Sequence, residues 1–147
     1  MTKFFTLMLA VALSFSFASP ALSLTDTTTR GKICGHECPQ RRLETFSAYV
    51  FKGRTKPSKR NQVVRFYFRK MGKSEWHQFG GYKTSGVNPA FRSLIAKRRY
   101  AKIRSHRWRL TFAPYKPRRW LLKAKFLKQN GFASSSVRKR VRVVYSE

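Results

Sequence analysis

An all-β fold, an antiparallel sandwich of about seven strands, follows from three observations. Short segments between residues 43 and 145 alternate apolar and polar residues with period two, in β-branched and aromatic side chains. Turn signals built from Gly, Pro and Asn separate those segments at regular spacing. The composition, 41% hydrophobic and 15% aromatic in 147 residues, supplies a core for one domain. It also excludes a disordered basic tail, which would be poor in large apolar residues.

The first segment is set apart. One lysine, Lys3, precedes the apolar run Phe4 to Ala18, and Ala21-Leu22-Ser23 fits a small-x-small cleavage site. Residues 1–23 therefore read as a secretory signal peptide. The run falls short of the roughly 20 residues that span a bilayer, so no transmembrane segment is expected in the mature protein. Without Lys3 the mature chain of 124 residues carries 32 Lys and Arg against 5 acids, a net charge of +27. The expected protein is extracellular, at or near a cell wall. Such a charge attracts any polyanion in reach.

Residues 24–42, LTDTTTRGKICGHECPQRR, show no apolar periodicity and read as an N-terminal extension outside the core. From residue 43 the strands begin. In Thr45–Gly53, Phe46, Ala48 and Val50 are expected to share one face of an extended segment. In QVVRFYFRK, Val64, Phe66 and Phe68 oppose Arg65, Tyr67 and Arg69. Met71-Gly72-Lys73-Ser74 reads as a hairpin turn leading to EWHQFGGYKT, where Trp76 is expected inward and Gly80-Gly81 marks a bulge or a close backbone approach.

Asn88-Pro89 suits a helix start, and Phe91, Leu94 and Ile95 follow at helical spacing; a short helix within 88–104, or a strand and connection, both fit. RWRLTF then places Trp108, Leu110 and Phe112 opposite Arg107, Arg109 and Thr111. RWLLKAKFL sets Trp120, Leu122, Ala124 and Phe126 inward, with Arg119, Leu121, Lys123 and Lys125 outside. Asn130-Gly131 is a strong hairpin signal. The last segment puts Val137, Val141, Val143 and Tyr145 on one face and Arg138, Arg140 and Arg142 on the other, with Lys139 near the inner face's edge.

The stretches VFKG at 50–53, VVRFYFRKMGKSEW at 63–76, RWRLTF at 107–112 and RWLLKAKFLKQNGFASSSVRKRVRVV at 119–144 together resemble the Ig-like β-sandwich modules of secreted bacterial, especially actinobacterial, proteins. The likeness lies in packing positions and covers most of residues 45–145, with a longer insert at 87–106. It implies an Ig-like sandwich over residues 43–147 and a non-catalytic binding or spacer role.

Candidate chemistry is sparse. In CGHEC, Cys34 and Cys38 are the chain's two cysteines, and in a secreted protein an internal disulfide is the default. A metal site on Cys34, His36 and Cys38 would lack a nearby fourth ligand. A small ribonuclease could use His77 and His106, or Glu75 with His77, but no nucleophile motif or phosphate-cradling glycine loop is present. No catalytic residue and no cofactor is expected.

The charge placement carries more. If segments 62–70, 119–127 and 137–145 are neighbouring strands, Arg65, Tyr67, Arg69, Lys123, Lys125, Arg138, Arg140 and Arg142 share one outer face. No acid on these strands relieves them. The expectation is a face that binds anionic polymers or an anionic cell surface: wall polymer, acidic polysaccharide or nucleic acid. The alternative uses of the same charge are a membrane-active antimicrobial protein and, more remotely, the ribonuclease.

Overall fold

A computed structural model describes residues 23–80, 89–95 and 98–147; the proposed leader falls outside them but for Ser23. Ten strands occur among the described residues: β1 Thr28–Cys34, β2 Arg42–Glu44, β3 Tyr49–Lys56, β4 Val63–Lys70, β5 His77–Gln78, β6 Phe91–Ser93, β7 Tyr100–Lys102, β8 Arg107–Pro114, β9 Arg118–Phe126 and β10 Ser135–Val144. One sheet has the order β1-β3-β8-β6, the other β2-β10-β9-β4-β5, with β7 also paired to β4. The six long strands and the short β6 thus follow the connectivity of a constant-type immunoglobulin sandwich, four strands against three. The short β2, β5 and β7 raise the strand number above the expected seven.

Alternation makes the core. Phe51, Phe66, Phe79, Phe91, Phe112 and Phe126 are fully buried, together with Leu110, Leu122 and Val64. Their rings interlock within and between the sheets: Phe51 lies 5.6 Å from Phe66 of the other sheet and 5.5 Å from Trp108 of its own, and Phe79 stacks on Phe91 at 5.4 Å. Such offset and edge-on pairs stabilise beyond their buried area. Trp108 fits because two glycines make room. Gly31 and Gly53 pair in register, and Gly53 pairs with Trp108; a Cβ on Gly31 would lie 2.7 Å from the Trp108 ring.

Several expectations change. The segment read as an extension enters the fold: β1 runs antiparallel to β3, with Ile33 buried. Ahead of it, Thr25 donates to the Gly131 carbonyl at 2.9 Å and accepts from Ala133 at 2.8 Å. Thr29 bonds both Thr55 and Ser135, tying the segment to both sheets. Its polarity hides it from a periodicity search, because an edge strand buries few side chains.

Phe46, Ala48 and Val50 do not line the core. Phe46 takes a positive φ of 64° in a turn, which ends the extended run and shifts the strand's parity, so Tyr49 and Phe51 point inward instead. No helix forms in the described part of 88–104; Phe91–Ser93 and Tyr100–Lys102 are short strands. Phe91 and Ser93 are both buried at period two, their backbone paired to β8 and bonded to Gly80. Gly80 is the close approach: an added Cβ there would strike the Pro89 ring. Gly81 lies outside the described residues.

Tyr145 projects past the end of β10 and is 73% exposed. Leu121, expected outside, does sit on the outer face but is buried there, between Arg69 and Arg140 in register. Long arginine stems cover apolar surface while their heads stay in water. The Asn130-Gly131 hairpin, the turn at Met71-Gly72 and the inward faces of β4, β8 and β9 stand as expected.

Candidate polyanion-binding surface

β4, β9 and β10 lie side by side, and their registers decide which cations meet. Lys123 stands opposite Tyr67 on one side and Arg138 on the other. Arg65 faces Lys125, and Arg142 faces Arg119. All of them point outward because Phe66, Phe68, Trp120, Leu122, Ala124 and Val141 take the alternate, buried positions. Arg65, Tyr67, Arg69, Lys123, Lys125, Arg138, Arg140 and Arg142 therefore share one face, and Arg119 joins them. No outward position of these three strands carries a carboxylate. Like charges set opposite across strands are destabilising, so this face is held together against its own charge.

One residue eases the repulsion. Trp76, expected to pack inward, instead folds over this face from the loop before β5. Its ring centroid lies 4.1 Å from Lys123 Nζ, 4.7 Å from Arg69 Cζ and 5.4 Å from Arg138 Cζ, one cation from each strand. Lys123 Nζ also sits 5.2 Å from the Tyr67 ring. The negative ring face attracts each cation by roughly 0.5–1 kcal/mol where solvent reaches it. The sequence signal that could have placed Trp76 outside is the turn at Met71-Gly72, after which a strand's parity no longer propagates.

Lys123 is the most crowded of the cations. Burial holds its ammonium below the ordinary lysine range, and Lys125, Arg138 and Arg69 push it the same way. An anion docked here would oppose that lowering, because it favours the charged ammonium.

The other candidate residues lie elsewhere. Cys34 and Cys38 form a disulfide, within a turn closed by Gly35 N–H donating to the Glu37 carbonyl at 2.9 Å. His36 stays exposed beside it. Among the described residues no three metal-binding side chains converge. His77 stacks on Phe68, and its Nε2 lies 3.9 Å from a Glu75 carboxylate oxygen. His106 Nδ1 instead bonds Ser58 Oγ at 3.0 Å, where the chain enters β4, while Phe68 and His77 lie towards that strand's far end. The two histidines are not brought together. No helix among the described residues is long and apolar enough to cross a membrane.

A comparison with protein-family models finds no match, and a comparison with curated protein sequences finds none either.

Proposed function

We propose that this protein is a secreted, non-catalytic β-sandwich that binds anionic polymers through the outer face of β4, β9 and β10. The observation that carries the reading is the in-register packing of cations from three strands around Trp76, with no carboxylate among them. Folding alone gains nothing from opposing like charges; a polyanion converts the same arrangement into attraction. Arginine outnumbers lysine on the face and pairs bidentately with phosphate, so phosphodiester polymers are the favoured class.

The test is binding of an oligothymidylate and of heparin between 50 and 200 mM salt. Affinity should fall steeply with salt and should not depend on base sequence. Replacing Arg138, Arg140 and Arg142 by Gln should lower the log–log salt slope for single strands by roughly 2. Binding that ignores both salt and these substitutions would sink the proposal.

A second reading, action on anionic membranes, has its own observation. Phe46 and Tyr145, 69% and 73% exposed, stand at the end of the sandwich where β3 begins and β10 ends. Met71, 40% exposed, bonds through its N–H to the Arg119 carbonyl at that same end. Leakage from anionic vesicles, lost in a Phe46→Ser/Tyr145→Ser variant, would favour it over plain polymer binding.

A further inference from the structure

The opposite side of the sandwich is also cationic, and nothing in the alternation of β4, β9 and β10 announces it. Along β1, β3 and β8 the inward positions include Thr29, Ile33, Phe51, Thr55, Trp108 and Leu110, all buried. The alternate positions point to solvent. Register then aligns Lys32 with Lys52 and Lys52 with Arg109; two residues along, it aligns Arg30 with Arg54 and Arg54 with Arg107. These are two parallel rows of three exposed cations. Neighbours within a row are about 4.8 Å apart at the backbone, and the rows about 6.8 Å apart.

The rows form the floor of an open groove of about 1780 Å³, in whose wall Glu44 is the one carboxylate. Four like-charged cross-strand pairings each oppose folding by a few tenths of a kcal/mol or more. A surface kept only for solubility would intersperse acids among such cations. Because the two sheets pack face to face, this groove and the Trp76 face look in opposite directions.

We infer that the β1-β3-β8 face is a second binding site for a phosphodiester chain, so that one molecule bridges two polymer chains. The inference rests on the proposed function for its ligand class and adds a second, independent site. Four of the six row residues are arginines, which again favours phosphate over carboxylate ligands.

A sandwich-capture assay tests it. An oligothymidylate is fixed to a surface, the protein is bound and washed, and a fluorescent second oligothymidylate is added. Wild type should capture the second strand. A Lys52→Gln/Arg54→Gln/Arg109→Gln variant should still bind the fixed strand yet capture the second at least tenfold less. An independent Arg30→Gln/Lys32→Gln/Arg107→Gln variant should behave alike. Emission from the buried Trp108 and Trp120 checks that each variant is folded, and removing like charges should help folding.

Capture at the wild-type level by both folded variants overturns the second site and leaves the first intact. Capture through self-association on the Trp76 face would give that same result. Bridging of heparin but not of oligothymidylate overturns the phosphodiester assignment. If wild type binds neither polymer, the proposed function falls with the inference.

Discussion

Gly53 shows how a single missing side chain sets the core. A Cβ there would meet the Arg30 carbonyl and the Trp108 ring at once, whereas at Gly31 the nearest contacts are 2.7 Å to Trp108 and 3.0 Å to the Lys52 carbonyl. Gly53→Ala should therefore destabilise by about 1–3 kcal/mol or more, and by more than Gly31→Ala, in thermal or urea unfolding. Replacing Trp108 by Leu should remove part of that penalty but not the backbone clash. Equal costs in the two tryptophan backgrounds would show that the indole is not what the glycines accommodate. Lys123 gives a second residue-scale outcome. Folding lowers its pKa, so between the lowered and the ordinary value the unfolded chain binds more protons, and stability rises with pH through that window. In the same window a docked polyanion should return the proton to Lys123. Calorimetry in buffers of different ionisation enthalpy should then detect proton uptake on oligothymidylate binding within that window, and less in Lys123→Arg. Uptake unchanged by that substitution would assign the proton elsewhere.

At the scale of elements, legibility followed side-chain contrast. β4, β8 and β9 could be read because Phe, Trp and Leu alternate with Arg and Lys, a contrast that only a half-buried strand explains. β1 could not: TTRGKIC buries Thr29 and Ile33 around a glycine, and glycine and threonine give no apolar signal. Phe46 misled because an aromatic residue in a turn mimics the start of an inner face. The cationic face was legible in its Arg and Lys residues and opaque in Trp76, whose position depends on a loop rather than a period. The Asn130-Gly131 turn was legible for a conformational reason. Both residues have positive φ, 46° and 80°, and the residues around them exchange Gln129 and Phe132 backbone bonds at 2.9 and 3.2 Å, the pattern of a two-residue hairpin turn. Gly131→Ala should cost about 1–2 kcal/mol, while Asn130→Gly should be nearly neutral. Hydrogen exchange should show the loss first in the amides joining β9 to β10. A neutral Gly131→Ala would mean that the turn does not fix this register.

The whole molecule carries a formal charge of +28, and two of its cation clusters occupy the opposite outer faces of the sandwich. In each face the cations are placed opposite one another by the same hydrogen-bonded registers that hold the sheets, so repulsion and sheet formation are coupled. Unfolding lets those charges move apart, and the native state bears the larger self-repulsion. Screening should therefore favour the fold. The Debye length shrinks from about 30 Å at 0.01 M salt to about 8 Å at 0.15 M, which is from beyond the sandwich's thickness to within a few strand spacings. The melting temperature should climb over that range, and for a domain of this size each 1 kcal/mol relieved corresponds to roughly 3–5 °C. Sodium chloride distinguishes screening from site binding: a monovalent salt should act gradually, whereas an oligothymidylate should raise the melting temperature at far lower charge concentration. The variants with either face partly neutralised should start higher at low salt and gain less from it, and the two gains should approach additivity only at about 0.15 M, where screening uncouples the faces. A melting temperature that is flat or falling with salt in the wild type would show that the registers carry their cations at no cost to the native state.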